Sequence, residues 1–288
     1  MEKIKIIALD MDGTTLSDDK NIAEETKASI QRAIDAGILI VPSSGRSLAW
    51  LPQQIMDFKP HYAITKNGAI IYNLDEQKEI YHEIIDNSLV IDFLRASKDF
   101  PAFTRIGYGD QRDAGYCSDM KTFIQKYPGR AESCLLVDDL AEYVEEKQPK
   151  IDKITMILFD DQTTNQVMDL QKNFLGLNIM GSGGPYIEVN SRMCSKGTAL
   201  KVLATSLGLS KENVAAMGDS DNDIIMLAYA GHSFAMGNGT EFVRQIADEV
   251  TDDNMHNGVG KAIEKILAYN ESCKWSFYFS LYLQTTMK

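Results

Sequence analysis

The sequence predicts an α/β fold, a parallel sheet flanked by helices, with a second α+β domain inserted into the chain. Three observations carry it. Short continuous apolar runs end in Asp, Ser or Gly, the pattern of strands buried on both faces of a parallel sheet. Stretches with helical apolar spacing alternate with those runs towards both ends of the chain. Between residues 83 and 189 the rhythm changes to strand-like runs mixed with helices, so the first domain is discontinuous. The expected organisation is a core of residues 1–82 and 190–270, an insert of residues 83–189, and an aromatic tail of residues 271–288.

The first strand is expected over residues 4–9, where one Lys interrupts an apolar run that ends at Asp10. Ile22, Thr26, Ile30, Ala33 and Ile34 space a helix over 22–36, which Gly37 closes as a left-handed cap. Residues 38–41 form the next strand, with Ser43-Ser44-Gly45-Arg46 as its exit loop, and residues 62–65 a third. Residues 70–72 and 80–82 flank the polar turn 73–77 as a hairpin. In the insert, helical patterns at 88–97, 138–146 and 164–174 mix with strand-like runs at 103–108, 153–159, 178–181 and 186–189. The α/β rhythm returns with a helix over 197–207 and a strand over 214–217 that runs into Gly218-Asp219. A helix over 223–228, a strand over 233–236, a helix over 240–246, a strand over 249–251 and a helix over 259–269 complete it. Beyond that, Trp275, Phe277, Tyr278, Phe279, Leu281, Tyr282 and Leu283 crowd into one short segment. It is read as a strand or helix packed on the body, with partner or membrane contact as the alternative.

Composition bounds the function. At 288 residues the chain has room for about two domains and a substantial core, so it needs no staple to fold. Its 29 basic and 41 acidic residues give a net charge of −12, which repels nucleic acid and anionic membrane surfaces. An anionic substrate would then need a local device against that repulsion, and a divalent cation is the usual one. Cys117, Cys134, Cys194 and Cys273 are scattered and form no CxxC pair, which speaks against a zinc site and a disulfide framework. Residues 1–9 are too short before Asp10 for a signal peptide, and no run of about 18 apolar residues occurs. A cytoplasmic protein is expected, monomeric or weakly dimeric.

Ligands of open parallel sheets bind beyond the carboxyl ends of the strands, and four predicted loops there carry suggestive chemistry. In Asp10-Met11-Asp12-Gly13-Thr14, carboxylates at i and i+2 can face one pocket, one as nucleophile and one as general acid and base. Asp-Gly is also ordinary strand-to-turn chemistry. Ser44-Gly45-Arg46 offers a hydroxyl and backbone amides suited to phosphate oxygens, although Ser-Gly alone is a common turn. Lys196, at the start of a helix, can neutralise developing negative charge or simply be solvated. In Gly218-Asp219-Ser220-Asp221-Asn222-Asp223 three carboxylates repel one another unless a cation sits among them, and hard oxygens suit Mg²⁺; an acidic loop capping the next helix is the plainer alternative. His256 beside Asn257-Gly258 reads as an exposed loop residue, the cysteines as small apolar packing, and Gly181-Ser182-Gly183-Gly184-Pro185 as a turn without the P-loop pattern. Arg46 is open between reaching substrate and pairing with an acid.

Together the four loops resemble the motif set of haloacid dehalogenase-like (HAD) phosphatases. Asp10 to Thr14 looks like the DxDGT signature, Ser44 stands at the Ser/Thr position of the second motif, Lys196 at the third, and Asp219 to Asp223 at the GDxxND fourth. The long insert after the second motif resembles a C2B cap, which points to the Cof-like subfamily, as do Asn67-Gly68-Ala69 and Ala235-Met236-Gly237-Asn238. The resemblance spans residues 4–267 and does not include the tail. It implies a HAD-like Rossmannoid core with an inserted cap, and a Mg²⁺-dependent phosphatase acting on small phosphomonoesters such as sugar phosphates or phosphorylated cofactors. It implies that Asp10 forms an aspartyl-phosphate while Asp12 protonates the leaving group and activates water. Mg²⁺ would be held by the Asp10 carboxylate, the Asp12 carbonyl and Asp219, with Asp223 in support. Ser44, Lys196 and the amides near Met11 and Gly45 would cradle the phosphoryl oxygens, and Asn222 would contact phosphate or orient Lys196. A phosphotransferase or phosphomutase of the same fold, or a non-catalytic sensor of phosphometabolites, is the competing expectation. The intact Asp10 and Asp12 pair favours catalysis.

Overall fold

In the computed structural model the chain opens with β1 (Ile6–Leu9), α1 (Glu24–Asp35), β2 (Leu39–Pro42), α2 (Gln53–Met56), β3 (Tyr62–Thr65), β4 (Ile70–Asn73) and β5 (Lys78–His82). Next come α3 (Asn87–Ser97), β6 (Ala102–Gly107), β7 (Ala114–Cys117), α4 (Met120–Lys126), β8 (Leu135–Leu136), α5 (Leu140–Lys147), β9 (Lys153–Leu158), α6 (Asp161–Asp169), β10 (Leu177–Gly181) and β11 (Tyr186–Ser191). The chain ends with α7 (Lys196–Ser206), β12 (Val214–Gly218), α8 (Ile224–Tyr229), β13 (His232–Ala235), α9 (Glu241–Ile246), β14 (Glu249–Val250) and α10 (Gly258–Thr286). The structure describes residues 2–108, 113–127, 134–181 and 184–286, with side chains as far as residue 273. It divides into two units, Met1–Tyr81 with Ser195–Lys288, and His82–Cys194.

The first unit is built on a parallel sheet of order β14-β13-β12-β1-β2. The apolar run of β1 is continuous because both of its faces are covered. Ile7 and Leu9 pack in one cluster with Ile30 and Ala33 of α1 and Val259 and Ile263 of α10. Ile6 and Ala8 point the other way, to Leu200 and Leu203 of α7 and Met226 of α8. Burying Ile6, Ile7 and Leu9, all fully enclosed, contributes about 1.5–3 kcal/mol each. The chain runs from β1 to β2 on one side and returns to β12 on the other, so the strand order reverses at β1. A crevice at the carboxyl ends of the strands at such a reversal is where open α/β sheets bind ligands. Three neighbouring strands therefore deliver Asp10, Ser43-Ser44 and Asp219 to the same edge. A second sheet of order β3-β4-β5 begins beside β2, where the Ser44 N–H donates to the Ile64 carbonyl at 2.9 Å.

The second unit is a six-stranded sheet of order β10-β11-β9-β6-β7-β8, antiparallel except for the short β7–β8 pair. Its main core joins Ile154 and Met156 of β9 to Phe93 and Leu94 of α3, Val144 of α5 and Val167 of α6. On β6 and β9, Phe103 and Ile157 instead pack with Phe123 of α4, whose ring stacks on Phe103 at 4.2 Å between centroids. β7, α4 and β8 are elements the sequence pattern does not announce: two are four residues or fewer, and β7 contains Gly115. In the Gly181–Pro185 turn, Ser182 and Gly183 lie outside the described residues.

The last helix also departs from expectation. It continues to Thr286 rather than ending near Tyr269, because neither Gly nor Pro follows Gly260 to stop it. Asn270 clips it to the start of the sheet: its Oδ1 accepts from the Ile4 N–H and its Nδ2 donates to the Ile4 carbonyl, both at 2.8 Å. The aromatic side chains from Trp275 onward lie outside the described side chains. Among the described residues no helix is long and apolar enough to cross a membrane. All four cysteines are unbridged, and His256 is exposed with its Nδ1 against Asp253.

Candidate active site

The loop leaving β1 is held from both ends. The Asp10 N–H donates to the Met217 carbonyl on β12 at 3.1 Å, and the Asp10 carbonyl accepts from the Thr15 hydroxyl at 2.5 Å. Met11 is fully buried in the core, which leaves only its backbone for the pocket. Gly13 has φ +82°, in the left-handed region, and a Cβ there would lie 2.5 Å from Asp219 Oδ2. A glycine is thus required by both conformation and space. The close approach lets the Thr14 hydroxyl donate to Asp219 Oδ1 at 2.7 Å, while Asn238 Nδ2 donates to the Gly13 carbonyl at 2.8 Å.

Lys196 enters from the first turn of α7, whose N-cap is Ser195: its hydroxyl accepts from the Thr198 N–H at 2.9 Å. The ammonium is completely buried and donates to Asp10 Oδ1 and to Asp223 Oδ1, both at 2.6 Å. The second Asp223 oxygen accepts from the N–H groups of Asp219 and Ser220 at 3.0 and 3.1 Å, so Asp223 braces the loop as well as the lysine. Asp10, Asp219 and Asp223 each offer an oxygen, all within 4.8 Å of one another. Two like charges about 4 Å apart repel by about 4 kcal/mol at an effective dielectric of about 20. One ammonium cannot offset three carboxylates. Burial, then the charge of Asp223, pushes Asp10 well above the ordinary carboxylate range, and burial and Asp223 likewise raise Asp219. Burial opposes the charge on Lys196, but Asp10 and Asp223 outweigh it and hold the lysine protonated. An excess of buried, hard oxygen donors is the chemistry that accepts a divalent cation.

Asp12 is partitioned from this cluster. Its half-exposed carboxylate sits in the fork of Arg46, with Nε donating to Oδ2 and Nη2 to Oδ1, each at 2.7 Å, and Lys20 donates to Oδ1 at 2.8 Å. The Arg46 hydrogen bonds outweigh partial burial, and with Lys20 they hold Asp12 down to about 2. The two carboxylates of the first loop are therefore pushed in opposite directions. Arg46 is fixed in turn by its Nη1, which donates to the Trp50 carbonyl at 3.1 Å. Arg46 is thus paired with an acid.

The remaining polar residues gather around Asn67. The Ser44 hydroxyl accepts from the Arg46 N–H at 3.2 Å, and the Ser44 carbonyl accepts from the Asn67 N–H at 3.0 Å. Asn222 donates from Nδ2 to Asn67 Oδ1 at 3.2 Å and accepts from the Ser220 hydroxyl at 2.9 Å. Gly45 approaches closely enough that a Cβ there would lie 2.8 Å from Asn67 Oδ1. Of the residues expected from sequence, Asp10, Lys196, Asp219 and Asp223 share one charged cluster. Asp12 lies in the Arg46 fork, and Ser44, Gly45 and Asn222 meet at Asn67. Thr14, Lys20 and Asn67 lie beyond the site residues expected from sequence; Thr14 carries a signal as the last residue of the DxDGT resemblance and Asn67 as part of the Asn67-Gly68-Ala69 resemblance, and Lys20 carries none.

Residues 7–263 match the family described as haloacid dehalogenase-like hydrolase. The chain is 32% identical over 265 residues to 5-amino-6-(5-phospho-D-ribitylamino)uracil phosphatase YcsE of Bacillus subtilis, covering 90% of this chain and 94% of that protein. It is 30% identical over 274 residues to the putative phosphatase M6_Spy0533 of Streptococcus pyogenes, covering 91% and 98%. Among solved structures, the HAD phosphatase BT1666 of Bacteroides thetaiotaomicron superposes with a TM-score of 0.77 at 26% identity, covering 92% of this chain and 95% of that one. The subclass IIB sugar phosphatase BT4131 shares the fold, with a TM-score of 0.76 at 20% identity over 91% and 98% of the two chains.

Proposed function

The chain belongs to the haloacid dehalogenase-like hydrolases and is a phosphoric monoester hydrolase of that family, and we propose that it uses Mg²⁺ and an aspartyl-phosphate on Asp10 to hydrolyse small phosphorylated metabolites. The observation that carries this is the buried lysine between Asp10 and Asp223, with Asp219 adjoining, at the point where the strand order reverses. Sugar phosphates or a phosphorylated ribityl compound are the substrate class, by analogy with the relatives named for such molecules.

In this mechanism the Asp10 carboxylate attacks phosphorus, forming an acyl-phosphate bond as the ester P–O bond breaks. The Lys196 ammonium, the Ser44 hydroxyl and the backbone amides at Met11 and Gly45 bind the phosphoryl oxygens, with Asn222 beside them. Asp12 delivers a proton to the leaving oxygen and then takes one from the water that cleaves the acyl phosphate. To do so its carboxylate has to leave the Arg46 fork, which holds it ionised. Asp10, the Asp12 carbonyl and Asp219 would hold Mg²⁺, with Asp223 in support. When bound, the ion supplies positive charge that offsets the carboxylate excess and the charge of the phosphoryl group.

The test is phosphate release from p-nitrophenyl phosphate and a panel of sugar and polyol phosphates, with Mg²⁺ and with EDTA. Release that needs the metal and disappears in Asp10→Asn supports the proposal. A folded, metal-binding protein that releases no phosphate from any of them refutes it.

A further inference from the structure

We propose that Asn67 is a positioning residue, a wedge that sets the spacing between the Ser44-Gly45 loop and Asn222 and so shapes the phosphoryl pocket; the inference rests on the function proposed above. The backbone gives the first reason. Lys66, Asn67 and Gly68 follow β3 with φ of +50°, +60° and +97°, consecutive residues in the left-handed region that non-glycine side chains seldom enter. Asn is among the few side chains that enter it routinely, and strain of this kind persists only where the surroundings impose it. Asn67 is also 2% exposed, so its polar side chain is held inside the unit rather than offered to water.

The turn touches three of the four loops that the proposed pocket needs. Its backbone is tied to the second motif: the Lys66 N–H donates to the Arg46 carbonyl at 2.9 Å and the Asn67 N–H to the Ser44 carbonyl at 3.0 Å. It is pressed against the start of α7, since a Cβ on Gly68 would lie 2.1 Å from the Ser195 carbonyl oxygen, one residue before Lys196. The Asn67 side chain then spans the gap between loops. Its Oδ1 accepts from Asn222 Nδ2 at 3.2 Å, and the same oxygen abuts Gly45, where a Cβ would come within 2.8 Å. The amide thus stands between the Gly45 backbone and Asn222, two groups assigned to phosphoryl oxygens. Removing it lets both relax into the space.

Asn67→Gly separates this role from a merely structural one, because glycine occupies the left-handed region freely while deleting the wedge. The unfolding temperature is expected to stay at or above the wild-type value. Against that intact fold, kcat/KM for the best phosphomonoester falls about 10–100-fold, the cost of a misplaced binding group. Affinity for inorganic phosphate, measured by calorimetry with Mg²⁺ present, weakens in parallel. The effects of Asn67→Gly and Asn222→Ala are less than additive, since each removes the same alignment. Wild-type kcat/KM and phosphate affinity in Asn67→Gly, or full additivity with Asn222→Ala, would overturn the proposal. If the wild type itself turned over no phosphomonoester, the phosphatase mechanism would fail instead, and phosphate affinity in the same variants would still decide the role of Asn67.

Discussion

Replacing Lys196 by Met tests the electrostatic logic of the site directly. Met fills similar volume without charge, so the loss reports the missing ammonium rather than a cavity. The ammonium is completely buried between Asp10 and Asp223 at 2.6 Å from each, and removing one partner of such a group costs about 3–5 kcal/mol. With about 2–4 °C per kcal/mol for a domain of this size, the unfolding temperature should fall by about 6–20 °C. The pH dependence has a definite sign. The pKa of Asp10 is raised in the fold, so the native state keeps its proton when the unfolded chain, near 3.8, has lost it. Stability from this group is therefore greatest in acid and is lost as pH rises from 3.8 through the folded value. Lys196 lowers the Asp10 pKa, so its removal pushes that window higher. The deficit of Lys196→Met should be largest near about pH 8 and shrink towards about pH 5, and added Mg²⁺ should stabilise the variant more than the wild type. Thermal unfolding of both proteins across this range, with and without metal, is the assay. An unfolding temperature that matches wild type at every pH, or a deficit that grows on acidification, refutes the reasoning.

Three further outcomes are expected. Asp10→Asn should abolish phosphate release while keeping or raising the unfolding temperature, because it removes one of the mutually repelling buried carboxylates; residual turnover near the wild-type rate would exclude Asp10 as nucleophile. Arg46→Ala frees Asp12 from the fork and lets its pKa rise, so hydrolysis of alkyl phosphates should speed relative to that of p-nitrophenyl phosphate, whose leaving group needs no proton; a loss confined to alkyl phosphates would show that the fork aids Asp12 rather than restrains it. Chelation should stop turnover and lower the unfolding temperature, by the equivalent of about 2.7 kcal/mol when free Mg²⁺ had stood at about 100 times its Kd. An unfolding temperature indifferent to Mg²⁺ would argue against a cation among Asp10, Asp219 and Asp223.

What the sequence discloses and what it hides follow from the range of the interactions. The strand over Ile6–Leu9 is legible because burial on both faces forces a continuous apolar run, and Asp10 marks its end because a carboxylate cannot continue into that core. Asp219 and Lys196 are legible for the same local reason: one ends a buried strand and the other follows the Ser195 cap of a helix. The Arg46 fork on Asp12 is not, since it joins residues 34 apart through the paths of two loops, and any acid nearby would have satisfied the arginine equally well on paper. The strain at Asn67 is hidden because backbone dihedrals leave no trace in composition unless a glycine is obligatory, and here two of the three strained residues carry side chains. The end of helix α10 is missed because the aromatic segment after Asn270 reads equally as strand or helix from its composition.

The partition of Asp10 from Asp12 has a consequence for how such a site is switched on. A nucleophile has to be ionised, yet burial and neighbouring acids push Asp10 towards its protonated form. A general acid has to carry a proton, yet Arg46 and Lys20 hold Asp12 at about 2. Each carboxylate is displaced away from its proposed role by a different neighbour, and each displacement has its own remedy. Positive charge brought to Asp10 and Asp219 reverses the first. A leaving group that draws Asp12 out of the Arg46 fork reverses the second. Divalent metal and substrate would thus correct separate halves of the acid–base pair, and neither alone would suffice for turnover.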